Sequence, residues 1–242
     1  MMLADNSPRV SELPEPEDHD SLREREGLRL LGLLRGMGLA PSRKAYDPGD
    51  VIYREGEYGD ALYMISSGAV RLTRRYEGDK EATLSLLGPR DIFGDLVHEA
   101  TTIQKTGAEA FTSVEIVKVP KIFIERATRS NAEVASTMLT LVELDLAQHR
   151  ELVQRLLPRR TEVRVAHLLN DLSGKFGVDS DGVTTIRLRL SHEDLAAMVA
   201  ATRESVTSAV ARLRERGVLA TRSGRIHILD PAALNRISLG DR

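Results

Sequence analysis

The sequence predicts an α+β protein with an N-terminal β-roll of jelly-roll type, a long helix built for pairing, and a C-terminal winged helix-turn-helix. Three observations predict it. Between Tyr46 and Val119, short β-like stretches are divided by Gly-bearing turns. Between Leu139 and Leu156, one residue in three or four forms a seam. Between Leu190 and Ile228, two short capped helices precede a hairpin pattern.

Bulk composition bounds the reading. A chain of 242 residues, 41% hydrophobic and 29% charged, suits two globular domains of modest size. No apolar run approaches the ~20 residues of a membrane span, so no membrane partner is expected. Residues 1–26 are acidic at the start and Pro-bearing, without an apolar signal core, and read as a disordered tail. The absence of cysteine removes disulfides, thiolate metal sites and cysteine nucleophiles, and fits a cytoplasmic protein. The six histidines lack metal-ligand spacing. With no P-loop and no G-x-S-x-G, no catalytic residue is assigned and no enzyme is expected.

The roll occupies residues 27–132. An apolar run from Gly27 to Ala40 reads as a short helix. Strands follow at Val51–Tyr53, Ala61–Ile65, Ala69–Thr73, Ala82–Leu87 and Ile92–Gly94, with a last strand pair from Ala108 to Val119. Turns stand at Pro48-Gly49-Asp50, Glu55-Gly56-Glu57, Ser67-Gly68 and Gly88-Pro89. Such spacing of strands and turns predicts a closed or rolled sheet around an internal pocket.

Lys121 to Leu157 reads as the longest helical stretch, with the pairing helix at residues 133–158. Leu139, Val142, Leu146, His149, Val153 and Leu156 step by 3, 4, 3, 4 and 3, an a/d heptad seam. A helix packed only on its own domain is the alternative. The narrow seam and its charged flanks (Glu143, Asp145, Arg150, Glu151, Arg155) favour two copies side by side. Pro158 ends the helix or marks a hinge.

Residues 159–242 form the second domain, with 14 Lys+Arg against 10 Asp+Glu although the whole chain carries −2. Thr161–Phe176 is helical in period, Gly177 and Gly182 mark a turn, and Thr184–Leu190 alternates as a strand. Ser191 caps a helix from Glu193 to Val199, Ala200-Ala201 makes the turn, and Thr202 caps a second helix that Gly217 ends. Arg203, Glu204, Thr207 and Ser208 occupy the N-terminal half of that second helix, where a recognition helix meets base edges. Arg203 can grip guanine O6 and N7, and Glu204 can accept from a cytosine amino group. Thr202 and the helix N-terminus suit phosphate, and Ser191 and Arg212 are counted with them as DNA-binding residues. Arg222 and Arg225 make a basic hairpin tip that would reach the backbone. The alternative is a solvated Arg–Glu pair on a bundle helix. The coincidence of wing, basic tip, charge asymmetry and seam favours double-stranded DNA as the partner.

Two stretches resemble the Crp/Fnr superfamily of bacterial regulators: PGDVIYREGEYGDALYMISSGAVRL (Pro48–Leu72) and LSHEDLAAMVAATRESVTSAVARLRERGVL (Leu190–Leu219). The resemblance runs from about Leu28 to Ile237. YEGDKEATLSLL, AFTSVEIVKVP and KFGVDSDGVTTIRLRLSHEDLA are similar to the NtcA branch. It implies a cyclic-nucleotide-binding-like roll, a dimer helix and a winged helix reading a palindromic, TGNNA-like site. Implied partners are DNA, a second copy of the chain and RNA polymerase.

The resemblance also implies a small-molecule effector, cAMP or, in the NtcA branch, 2-oxoglutarate. The corresponding pocket residues are Phe93, Gly94, Asp95, Leu96, Gln104 and Lys105, with Asp145, His149 and Arg150 facing them from the dimer helix. This chain departs from the pattern there. Asp95 replaces a Glu, Gln104-Lys105 replaces an Arg-bearing pair, and Asp145 and Arg150 have exchanged signs relative to the NtcA branch. No arginine lies between Asp91 and Lys118, although a buried phosphate or carboxylate needs a fixed cation. Ala200 stands where the family often has glycine, and Ser208 where cAMP-type members carry a second reading Arg. Three readings stay open: an effector-modulated regulator, an effector-independent regulator with a vestigial pocket, and a signalling scaffold using the roll for protein contacts.

Overall fold

The computed structural model describes residues 19–39, 41–76, 80–95 and 103–240. The roll is made of β1 (Ser42–Tyr46), β2 (Val51–Tyr53), β3 (Ala61–Ser67), β4 (Val70–Tyr76), β5 (Lys80–Leu87), β6 (Ile92–Phe93), β7 (Gly107–Ala110) and β8 (Val114–Pro120). They form two antiparallel sheets, ordered β1-β8-β3-β6 and β2-β7-β4-β5. Side chains alternate faces along a strand, and β3 uses both. Tyr63 and Ile65 point into the roll with Val70, Phe93, Ala110 and Ile116. Leu62 and Met64 point outward, beneath two helices. That double burial explains why β3 reads as an unbroken apolar run rather than an alternating one.

The covering helices are α1 (His19–Gly36) and α3 (Ala132–Leu156), with α2 (Lys121–Ser130) between roll and α3. Leu30, Leu31 and Leu34 of α1 meet Val134, Met138 and Leu141 of α3 over the outer face of β3 and β8. The helix therefore starts eight residues earlier than the apolar run suggests, and residues 19–26, expected in the disordered tail, are helical. Arg23 and Glu26 are buried there. The expected tail at residues 1–18 lies outside the described residues.

The single long helix expected from Lys121 is two helices. Asn131 breaks it at φ −139 and ψ 112, and its side chain accepts a hydrogen bond from Glu133 N at 2.8 Å, capping α3. Asn competes well for that role because its short amide reaches the orphan N–H groups of a helix start.

The second domain contains α4 (Thr161–Phe176), β9 (Gly177–Ser180), β10 (Val183–Ile186), α5 (His192–Met198), α6 (Arg203–Glu215), β11 (Leu219–Arg222), β12 (Arg225–Ile228) and α7 (Pro231–Ser238). Its sheet runs β11-β12-β10-β9. The expected strand Thr184–Leu190 stops at Ile186, and the turn at Gly177–Gly182 is a strand plus a tight turn, so β9 and β10 make a hairpin. Leu168, Leu169, Leu195, Val206, Leu213 and Leu234 build the core. Ala69 and Leu86 of the roll join that same core, so the reading domain docks on its own roll.

Candidate nucleic-acid interface

The two helices of the reading unit are set by their caps. Ser191 and Asp194 form a reciprocal capping box at α5: Ser191 Oγ accepts from Asp194 N at 3.0 Å, and the Asp194 carboxylate accepts from Ser191 N at 2.9 Å. Thr202 Oγ1 accepts from Ser205 N at 3.2 Å and fixes the start of α6. Between them Ala200 sits at φ +48, the left-handed region that a side-chain-bearing residue enters at a cost on the order of 1 kcal/mol. Arg164 of α4 donates to the Ala200 carbonyl at 3.2 Å and holds this turn from behind.

Val206, Ala209, Val210 and Leu213 bury the inner face of α6. Arg203, Glu204 and Ser208 lie on the opposite, exposed face, their side chains without hydrogen-bond or ion-pair partners among the described residues. Thr207 is also exposed but is tied inward. Its hydroxyl donates to the Arg203 carbonyl at 2.8 Å, which leaves it to accept from His192 Nδ1 at 2.8 Å. It braces α5 against α6. Ser191 likewise spends its hydroxyl on the capping box, donating to the Asp194 carboxylate at 2.6 Å.

The expected wing is the hairpin β11–β12, closed by Ser223 and Gly224 at φ +51 and +74, the two positive angles of a tight hairpin turn. Arg222 and Arg225 face each other across it and are exposed. Arg189 packs beside the wing, with its Cγ 3.9 Å from where a Gly224 Cβ would stand. Arg187 and Arg189 are exposed between β10 and α5. Sequence reasoning missed both as members of the basic face, because it assigned them to a strand.

Arg212 is not simply a surface cation. Its Nε donates to Glu162 Oε2 at 3.0 Å, Arg216 donates to Glu162 Oε1 at 3.0 Å, and Arg160 reaches Oε2 at 3.4 Å. Glu162 is buried at 4% exposure. Nothing in the sequence marks this hub, since its members lie 50 and 54 residues apart in two cases.

In the roll, the expected pocket residues close on one another. Gly94 stands at φ +107, where a Cβ would come within 2.9 Å of the Ala61 carbonyl. Asp95 N donates to Gln104 Oε1 at 3.2 Å, and Lys105 N donates to the Asp95 carboxylate at 2.6 Å. Gln104 is buried at 1% exposure, whereas the Lys105 side chain is exposed. Phe93 stacks on Tyr63 with ring centroids 5.2 Å apart, and Tyr53 lies 5.4 Å from Tyr63. Burial raises both phenols, Tyr53 strongly and Tyr63 to about 12. Leu96 lies outside the described residues.

Leu139, Val142, Leu146 and Val153 are 50–67% exposed along α3, and Leu156 is 37% exposed. The opposite face, Val134, Met138, Leu141 and Leu144, is buried. His149 lies on the exposed stripe. Its Nδ1 is 2.8 Å from the Asp145 carbonyl and 3.5 Å from its carboxylate. Arg150 is exposed beside it. Asp145, His149 and Arg150 thus sit together on α3, outside the contacts made by Asp95 and Gln104. At the C-terminal end, Arg155 is buried and pairs with Asp171 of α4 at 2.9 Å. Burial holds the Asp171 carboxyl above its ordinary range, against the pull of Arg155.

Comparison with known proteins agrees with this architecture. Residues 43–131 match the cyclic nucleotide-binding domain and residues 163–237 the Crp-like helix-turn-helix domain. The chain is 32% identical over 206 residues to the global nitrogen regulator of Synechococcus elongatus, covering 83% of this chain and 92% of that protein. It is 29% identical over 188 residues to the CRP-like cAMP-activated global transcriptional regulator of Mycobacterium tuberculosis, covering 78% and 84%. A CRP/FNR-family transcriptional regulator from Thermus thermophilus superposes with a TM-score of 0.66 at 27% identity, over 82% of this chain and 98% of that one. FixK2 from Bradyrhizobium japonicum shares the fold with a TM-score of 0.73 at 21% identity, over 84% and 98%. With both domain matches in order along one chain, and the reading helix exposed between its caps, the protein belongs to the Crp/Fnr family and is a DNA-binding transcription regulator.

Proposed function

We propose that the protein works in the cytoplasm as a homodimer, with two copies of α6 entering successive major grooves of a palindromic site. The observation that carries this reading is the apolar stripe on α3. Four large side chains half or more exposed on one helical face, at heptad spacing, ask for a partner surface of the same kind. A two-fold pair presents its reading helices about 34 Å apart, the repeat of the groove. Arg203 takes the guanine and Glu204 the opposed cytosine of a TGNNA-like half-site. Ser208, shorter than a second arginine, relaxes the third contact. Arg222, Arg225, Arg187 and Arg189 grip the backbone, and Thr202 lies at the helix start beside it. RNA polymerase is the partner through which such a bound dimer acts.

The roll favours an effector-independent regulator over one driven by cAMP or 2-oxoglutarate. A buried anion needs a fixed buried cation, and among the described residues Lys105, next to Gln104 in the chain, has its side chain at the surface. The Tyr63 ring, stacked on Phe93, stands 3.1 Å from where a Gly94 Cβ would be, and Asp95, Gln104 and Lys105 bond to one another.

Sedimentation together with selection of bound duplexes from a random pool tests this reading. A dimer and a two-fold symmetric consensus, unchanged by either small molecule, are expected. A monomer that selects an asymmetric site would contradict the homodimer, and an affinity raised by either compound would contradict effector independence.

A further inference from the structure

We infer that the cleft between the start of α4 and α6 is a seat for one backbone phosphodiester of the bound duplex. Arg160 and Arg212 are its cationic ligands, and Glu162 is the positioning residue that aims them. The inference rests on the reading that α6 enters the groove, and it adds a contact that the base-reading residues do not supply.

The cleft measures about 400 Å³ and is lined by Arg160, Thr161, Glu162, Ser205, Ser208 and Arg212. A carboxylate so near a polyanion is repulsive unless it is neutralised, and a buried one is costly unless fully paired. Glu162 is paired three times over, by Arg160, Arg212 and Arg216. One negative charge against three fixed positive ones leaves the cluster with a surplus of two. The geometry also leaves the useful ends of the arginines outward. Arg212 lines the cleft and bonds Glu162 through its Nε, which leaves its two terminal nitrogens for another acceptor. Arg160 and Arg212 keep half or more of their side chains exposed. Guanidinium groups bind phosphate with two parallel hydrogen bonds, provided that their planes are held. Glu162 supplies that hold.

The occupant follows from position. Ser208 lines the cleft and also lies on the exposed face of α6, one helical turn after Glu204. An anion in the cleft is therefore beside the duplex strand whose bases α6 reads. A backbone phosphate is continuous with that surface.

The salt dependence of duplex binding tests the assignment, because each neutralised phosphate contributes about 0.9 to the slope of log affinity against log salt. Arg160→Ala and Arg212→Ala should each lower the slope and weaken specific and random duplexes alike, and the double variant should lower the slope by about 0.9. Arg214→Ala removes an exposed cation of the same helix outside the cleft and should leave the slope unchanged. Glu162→Gln separates aiming from bulk charge. It removes one negative charge beside the DNA, so charge alone would tighten binding, whereas loss of aiming weakens it and lowers the slope. Circular dichroism establishes that each variant is folded, and Arg160→Ala tests the seat independently of the buried carboxylate. A wild-type slope retained by folded Arg160→Ala and Arg212→Ala overturns the seat alone. Wild-type protein without salt-dependent duplex binding overturns the DNA reading, and this inference with it.

Discussion

The Arg71 guanidinium of β4 lies 2.6 Å from the Asp194 carboxylate of α5. That carboxylate is also half of the capping box that starts the helix-turn-helix. One roll residue therefore touches the reading unit at the group that fixes its first helix. Arg71 is further held over the Phe111 ring at 4.8 Å. A second tie runs from Lys175 of α4 to Asp91 at 3.1 Å, three residues before Gly94. The Phe176 ring lies against Gly88, where a Cβ would stand 3.1 Å away. Within one chain the roll thus reaches the reading domain directly, besides the covalent connection through Pro158.

Arg71→Ala should loosen this docking. A hydrogen bond to a charged group contributes about 1.5–3 kcal/mol when well formed, and this pair is partly exposed, so about 1 kcal/mol is expected. Amide exchange in the segment from Leu188 to Leu195 should speed up, while exchange in β3 and β8 stays as it was. Equal acceleration everywhere would mean global destabilisation instead of local release.

Ala200→Gly should stabilise the protein modestly. Removing the Cβ relieves about 1–2 kcal/mol of left-handed strain, and the added freedom of the unfolded chain takes back about 0.4–1 kcal/mol. The difference, about 0.5–1 kcal/mol in favour of the variant, is measurable by urea denaturation. A destabilised variant would show that the turn is not strained at φ +48.

Tyr63 gives a prediction at high pH. Its folded pKa of about 12 lies above the ordinary value of 10.0 because burial disfavours the phenolate. Stability from the neutral phenol is complete below pH 10 and is lost as pH rises towards 12, on the order of 3 kcal/mol by linkage. Tyr63→Phe keeps the stacked ring and removes the titrating group, so its stability should fall less steeply between pH 10 and 12. Parallel curves for the two proteins would place the alkaline loss elsewhere.

The pairing stripe of α3 answers to a single charge. Leu146→Glu puts two carboxylates against each other across the proposed two-fold axis, beside Val142 and Val153. Sedimentation should then show a monomer at concentrations where the wild type is dimeric, with weakened binding to the palindrome. A dimeric Leu146→Glu protein would place the pairing surface on another face.

How far the sequence carries can be argued from these same residues. The stripe from Leu139 to Leu156 was legible because helical period and exposure coincide there. The α5–α6 unit was legible because Ser191 and Thr202 are capping residues placed at helix starts. The break at Asn131 was not, since no glycine or proline interrupts the run and the cap involves only one polar side chain. The start of α1 at His19 was hidden by its charge. Arg23 becomes buried beside Asp91, at 3.8 Å, a partner far away in sequence. The Glu162 hub and the Arg71–Asp194 tie are tertiary in the same sense. Their members carry no local signal: the packing of α6 on α4 assembles the hub, and the docking of the reading domain on the roll makes the tie. The pocket was the reverse case. Asp95, Gln104 and Lys105 were named from the sequence, but the Tyr63 ring beside Gly94 was not, and the closure through Gln104 depends on geometry that spacing does not encode.

The most direct test of the account is the affinity of the Arg203→Ala variant for the selected palindrome and for a duplex with the half-site guanine replaced. The account predicts a loss of about 1–3 kcal/mol on the palindrome and little remaining preference for the guanine. Wild-type affinity with undiminished guanine preference would contradict it, because the base would then be read by some other residue.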